Sequence, residues 1–290
     1  MPQLLDSQGL LYIVTAILSL TILNLTNRLA TSRSKTLWGV LFTNYLTALT
    51  ISCVLFIFYG SYLVSWFTIG LGLVTGGLYV GAMTLGLKTM KLVGASIAAS
   101  INQLSVLIPV SFSVLLFGEI LRNTQYIGIA LAITSLPLLA YKTQGGNISA
   151  SFNRTLVGLM ILTLIIQGLA QVSSKILVAF GLSSFRSLFF LAVFTSATVL
   201  TFPLAYRNRS EIKRDDLTYG FVVGVCNISG NSSILLALQT LNGAIVFPIV
   251  NALALLLITF AARLIFREKI SIYNAAGITL TLLAVVLLNI

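Results

Sequence analysis

The sequence predicts an all-α integral membrane protein, with ten transmembrane helices forming two inverted five-helix repeats around a central cavity. Three observations predict it. Of the 290 residues, 58% are hydrophobic and only 8% are charged, against about 25% charged in an ordinary soluble domain. Ten apolar stretches are each about 18 residues or longer, the length that crosses a hydrocarbon core. The last helices of the two halves also superimpose at a fixed offset of 149 residues.

The stretches lie near 10–30, 37–59, 66–88, 92–117, 123–141, 155–179, 186–206, 217–239, 243–266 and 271–289. Ten crossings leave almost no chain outside the bilayer, so no soluble domain is expected. The N-terminus MPQLLDSQG has no basic residue before the first apolar run. A secretory signal normally carries one, so the first stretch reads as a retained helix. The net charge of +11 is the kind that orients basic loops and meets anionic lipid; a nucleic-acid partner is not expected. Cys53 and Cys226 fall inside apolar runs and read as small packing residues. No cofactor is expected, and no metal site either.

The repeat comes next. KLVGASIAASINQLSVLIPVSFSVLLFGE (91–119) lies over TLNGAIVFPIVNALALLLITFAARLIFRE (240–268) without gaps. Gly94 falls on Gly243, Ala95 on Ala244, Asn102 on Asn251, Phe117 on Phe266 and Glu119 on Glu268. Downstream, Gly128 falls on Gly277 and Ile129 on Ile278. The halves are therefore taken as 1–143 and 152–290, joined by a linker at 144–151. Each half crosses an odd number of times, so the second enters from the opposite side. Many secondary transporters share this inverted-topology arrangement.

Each repeat ends in a distinctive segment: FGEILRNTQYIGIALAITSLPLL (117–139) and FREKISIYNAAGITLTLLAVVLL (266–288). Each has an apolar helix, a glutamate, a short polar turn and a glycine nine residues after the glutamate. Pro109 stands ten residues before Glu119. This pattern resembles the EamA repeat of the drug/metabolite transporter superfamily. The second half departs from it, with Ile258 at the position of Pro109, Pro248 instead, and Arg267 for Gly118. The resemblance implies ten helices around a central cavity lined largely by the third, fourth, eighth and ninth. It implies a transporter; an enzyme is not expected, because the chain offers no histidine and no acid pair at catalytic spacing.

Glu119 and Glu268 sit where a helix ends and the chain turns back. The structural reading is a carboxylate accepting from amides at the next helix start, where negative charge is favoured. The functional reading is a gating or proton-coupling acid. Deep in the spans, acids and histidines are missing. A proton-driven antiporter of the small multidrug resistance kind would want an acid in its first helix. Coupling is therefore absent or runs through the edge acids.

Buried polar groups usually face a bundle interior or a wet cavity. Gln167, Gln171, Ser174 and Lys175 share one face of the sixth stretch. The first contributes Asn24, with Asn27 and the helix-end Arg28. Asn44 lies in the second, Tyr79 in the third, and Asn102 and Gln103 in the fourth. Asn227 and Asn231 are four apart in the eighth, and Asn251 lies in the ninth. Asn24, Asn44, Tyr79, Asn102, Gln103, Gln167, Gln171, Lys175, Asn227, Asn231 and Asn251 are the cavity candidates. For any one asparagine the alternative is interhelical glue worth about 1 kcal/mol. GLGLVTG in the third stretch has the small-xxx-small spacing of close helix packing.

The expected function is transport of a small polar organic metabolite, amino-acid-like or related. Alternatives are a carrier of phosphorylated or nucleotide-linked anions and, in a different class, a channel or scaffold. The expected partners are the solute and the lipid bilayer, for a monomer or weak homodimer in the cell membrane. Fourteen basic residues fall on the odd-numbered connections, and three (Arg122, Lys175, Arg186) fall on the other side. The positive-inside rule then places both termini outside, whereas the resemblance implies cytoplasmic termini.

Overall fold

Apolar surroundings leave the backbone no water to bond to, so a chain this hydrophobic closes its amides within helices. The computed structural model describes residues 7–59, 64–105, 107–108, 112, 122–139, 154–240, 243–267 and 271–288. Among them are ten α-helices: α1 (Ser7–Arg33), α2 (Trp38–Tyr59), α3 (Trp66–Val93), α4 (Ala95–Leu104), α5 (Asn123–Leu139), α6 (Arg154–Ala179), α7 (Arg186–Arg207), α8 (Arg214–Thr240), α9 (Gly243–Ile265) and α10 (Ile272–Leu288). Each begins within one of the ten apolar stretches or a few residues before it. Six segments are long and apolar enough to cross a bilayer: Gly9–Arg33, Trp38–Phe58, Trp66–Val93, Thr155–Ser173, Arg186–Arg207 and Arg214–Ala237. Leu253–Ile265 and Ile272–Leu287 are shorter apolar helices.

The outward faces carry Leu11, Phe58, Trp66, Phe221 and Phe260, the surface a lipid-facing helix needs. Hydroxyls on these helices are satisfied locally. Thr21, Thr75, Thr163 and Thr281 each donate to the carbonyl four residues back, at 2.7 to 2.8 Å.

Helix ends follow their cap chemistry. Ser65 opens α3 by accepting from the Thr68 amide. The sequence places a connection near 88–92, but α3 runs on to Val93 and a single residue separates it from α4. That residue is Gly94, at φ 87°, a left-handed conformation that glycine adopts without a Cβ penalty. At the start of α8, buried Asp216 accepts from the Lys213 amide at 2.8 Å and from Ser34 Oγ at 2.5 Å. One carboxylate thus caps α8 and ties it to the end of α1.

The main packing pairs are α1 with α8, α5 with α10, α2 with α8, α3 with α7, α2 with α7, α3 with α6, α1 with α9 and α4 with α9. Exchanging each helix with the one five places away maps α1–α8 onto α3–α6 and α2–α8 onto α3–α7, and returns α2–α7, α4–α9 and α5–α10 to themselves. The α1–α9 pair maps onto a lighter α4–α6 contact, and α4–α10 and α1–α3 have no counterpart of similar extent. Contact registers give the directions. Ser19 meets Ser229 while Ser34 meets Asp216, so α1 and α8 are antiparallel. Gly81 lies by Ile166 and Thr89 by Thr163, so α3 and α6 are antiparallel. Gly220 lies against Val40 and Thr43, and Gly224 against Asn44 and Thr47, so α2 and α8 are parallel. Gly72 lies against Phe189 and Ala192, and Gly76 against Val193 and Ser196, so α3 and α7 are parallel.

The last two interfaces use the same device. Gly72 and Gly76 on α3, and Gly220 and Gly224 on α8, each form a G-x-x-x-G pair that brings two backbones together. The α3 pair is the one expected from its spacing. The α8 pair, in GFVVG, has the same form. Three buried apolar clusters join the helices. One joins Ile101, Leu104, Met160 and Leu255 from α4, α6 and α9. A second joins Leu41, Tyr45, Phe189, Phe194 and Ile228 from α2, α7 and α8. A third joins Ile13, Ile17, Ala237 and Val250 from α1, α8 and α9.

Candidate functional site

Four helices form a closed circuit: α1 packs on α8, α8 on α2, α2 on α3, and α3 on α1. The polar side chains of these helices meet within it. Asn227 Nδ2 donates to Asn44 Oδ1 at 3.2 Å. Asn231 Nδ2 donates to the Asn227 carbonyl at 2.8 Å and to Asn227 Oδ1 at 2.9 Å. Three candidates from two helices thus form one amide ladder. Their spacing made Asn227 and Asn231 neighbours in advance; only packing could supply Asn44.

Around the ladder lie further polar groups; Tyr79 and Asn27 were singled out from the sequence, while Tyr45, Ser19 and Ser229 were not. Tyr45 donates from its hydroxyl to the Tyr79 carbonyl at 2.8 Å, joining α2 to α3. The Tyr79 ring meets Phe194 edge-on at 6.3 Å. Ser19 and Ser229 share a hydrogen bond of 2.8 Å between α1 and α8. Asn27, only 2% exposed, points its amide nitrogen at the Met83 sulfur 4.0 Å away, and its Oδ1 has no partner. Ser229 and Tyr45 adjoin or lie between the predicted asparagines, which is the signal that could have found them.

Asn24 behaves differently. Its Nδ2 bonds back to the Leu20 carbonyl at 2.8 Å within α1. A second polar group joins α4 to α6. Gln171 Nε2 donates to Ser105 Oγ at 2.6 Å, and Ser105 donates onward to the Asn102 carbonyl. Gly168 lets the helices close here, since a Cβ on it would lie 2.4 Å from Ile108 Cβ. In this structure Gln171 makes the interhelical bond that the glue reading describes. Gln103, Gln167 and Asn251 are half-buried. The side chain of Lys175, and Glu119 and Glu268 entirely, lie outside the described residues.

The ladder and its neighbours are hydrogen-bonding but uncharged. Such an arrangement can hold a polar solute by direct hydrogen bonds without stabilising a full charge. Among the described residues, no three His, Cys, Asp or Glu side chains come together as a metal site would require. The Arg28 guanidinium carbon lies 5.9 Å from the Phe266 ring centre, just past the end of α9.

Comparison with known proteins now bears on the chain. Residues 154–290 match the model of the EamA-like transporter family. The chain carries an EamA-like transporter domain. That EamA domain takes in α6 to α10, and with the apolar helices it makes the protein a multi-pass membrane protein of the transporter class. An uncharacterized protein of Haemophilus influenzae is 27% identical over 202 residues, covering 68% of this chain and 67% of its own length. A crystal structure at 16% identity superimposes with a TM-score of 0.64, covering 98% of this chain and 96% of its own. At that identity the likeness is one of fold alone.

Proposed function

We propose that this EamA-domain protein is a secondary transporter that moves a small polar organic metabolite by alternating access between two inverted halves. One observation carries the reading. Most of the main packing pairs map onto one another when each helix is exchanged with the one five places on, and the directions of those pairs favour halves of opposite sense. If the chain crosses the bilayer at each helix, α1 and α3 point the same way. Helix α6, the counterpart of α1, runs against α3. Helix α8, the counterpart of α3, runs against α1. A carrier built so can exchange the conformations of its halves and turn an outward-facing state into an inward-facing one.

The solute site is assigned to the polar core between α1, α2, α3 and α8, with Gln171 and Asn102 extending it toward α4 and α6. The uncharged chemistry of Asn44, Asn227 and Asn231 supports a neutral or zwitterionic solute over a phosphorylated one, which would call for deep cations. The basic loops face the cytoplasm by the positive-inside rule.

Counterflow in proteoliposomes tests this directly. Vesicles preloaded with a solute are given the same labelled solute outside, across neutral amino acids, sugars and organic anions, at matched and unmatched pH. Saturable exchange of at least one small polar solute is expected, with little dependence on the proton gradient. No exchange of any solute overturns the carrier reading. A strict requirement for the gradient overturns the uncoupled mechanism.

A further inference from the structure

The direction of the amide ladder can be fixed without seeing a hydrogen. Amide oxygen and nitrogen are usually told apart only by their partners. Here one partner is unambiguous. The side-chain atom of Asn231 that lies 2.8 Å from the Asn227 backbone carbonyl must be nitrogen, because a carbonyl only accepts. The same nitrogen lies 2.9 Å from the side chain of Asn227, so that atom is oxygen. Asn227 therefore turns its nitrogen toward Asn44 at 3.2 Å, and the Asn44 atom it meets is oxygen. What remains at the end of the ladder is the Asn44 NH2 group.

That group is a donor with no acceptor. Asn44 is 0% exposed and its Nδ2 has no hydrogen-bond partner. Leaving a buried donor unmade costs about 1–3 kcal/mol. A clasp between α2 and α8 needs only the Asn44 oxygen, so clasping does not account for the nitrogen. Alignment of the three amides also polarises the terminal N–H bonds and strengthens them as donors. On α1, in the same circuit of helices, the Asn27 oxygen is an acceptor with no donor. Two buried asparagines on helices of the same circuit thus leave an orphaned donor and an orphaned acceptor, and neither is charged.

We infer that Asn44 NH2 binds a carbonyl or carboxylate oxygen of the transported solute, and that the solute carries no net charge: a carboxamide or a zwitterionic amino acid. The inference rests on the carrier reading above. The ladder supplies hydrogen bonds and no counter-charge, so an isolated anion or cation is disfavoured at the same site. The Asn27 oxygen meets the ammonium or amide N–H of the same class of molecule.

The test uses the full-length protein in proteoliposomes and four sets of labelled probes. These are neutral amino acids, their carboxamides, the amines left when the carboxyl group is removed, and the acids left when the amino group is removed. Sugars complete the panel. Wild type is expected to exchange amino acids or carboxamides, and the relative rates tell the two acceptor groups apart. Asn44→Asp keeps the size but replaces the donor with an oxygen. It is expected to raise the half-saturation concentration about tenfold or more, the loss of one good hydrogen bond. Asn44→Leu, which removes the orphaned donor together with the oxygen that Asn227 meets and adds no charge, covers the case in which the aspartate variant does not fold. It is expected to lose exchange to a similar degree while its melting temperature stays within a few degrees of wild type. Unchanged half-saturation in either folded variant overturns the assignment, as does wild-type exchange confined to amines, desamino acids or sugars. Those results leave the carrier reading standing. Exchange of no probe at all, sugars and anions included, removes the carrier reading itself.

Discussion

Gly76→Ala is expected to destabilise the protein by about 1–3 kcal/mol, the usual cost of adding volume to a packed interface. A Cβ at this position would lie 2.3 Å from the Val193 carbonyl oxygen, 2.8 Å from Ser196 Cβ and 3.1 Å from the Ala197 amide nitrogen. Two of those three atoms belong to the backbone of α7 and cannot rotate away. The helices must separate, which also strains the Ser196 hydroxyl bond to the Leu73 carbonyl at 2.8 Å. Gly224→Ala meets the Asn44 carbonyl at 2.6 Å and Thr47 Cβ at 2.7 Å, so a loss of the same size is expected at the matching α8–α2 interface. Gly77→Ala is the control. Its nearest neighbour would be Leu200 Cδ1 at 3.8 Å, and exchange of helical glycine for alanine then stabilises by up to about 1 kcal/mol. Unfolding in detergent micelles, followed by circular dichroism, reads all three. Equal stability of the Gly76 and Gly77 variants would show that the α3–α7 contact is not closed by backbone proximity.

Asp216→Ala is expected to cost about 1–3 kcal/mol, combining a lost helix cap with a lost buried hydrogen bond. The carboxylate accepts from the Lys213 amide at the start of α8 and from the Ser34 hydroxyl beyond the end of α1. Ser34→Ala removes only the second bond, and about 1 kcal/mol is expected. The double variant should lose less than the sum of the two, since both single changes break the Ser34 contact. Additive losses measured in the same unfolding assay would show that Asp216 acts as a cap alone and does not join α1 to α8.

Much of this architecture was legible in residues alone. Apolar length located the helices, because no other element can satisfy its backbone in lipid. The shared glycine, asparagine and glutamate positions suggested a division into halves, whose linker at 144–151 lies outside the described residues. The glycine spacing of α3 announced a close contact, though not that α7 would fill it. The limits were physical. A helical face says which side chains share a surface and nothing about the surface opposite. Asn227 and Asn231 could thus be paired in advance, while Asn44 was one candidate among many. The face shared by Gln167 and Gln171 was legible, but the partner that Gln171 meets across the interface, Ser105, was not. Asp216 stands one residue before the expected start of the eighth helix, and nothing in that position signals its role, because its partner Ser34 lies 182 residues away. Gly94 was recognised as a repeat position, but its left-handed φ is what lets α3 and α4 nearly join.

The central claim is that the halves cross the bilayer in opposite senses. Lys35 and Ser184 stand at matching positions, 149 residues apart, and both are exposed. With Cys53 and Cys226 replaced by serine, Lys35→Cys and Ser184→Cys are each tested in oriented membrane vesicles with a membrane-impermeant maleimide, added to one side at a time. The two cysteines are expected to react from opposite faces, with Lys35→Cys reacting from the cytoplasmic face. Labelling of both from the same face would contradict the inverted arrangement and the alternating mechanism built on it.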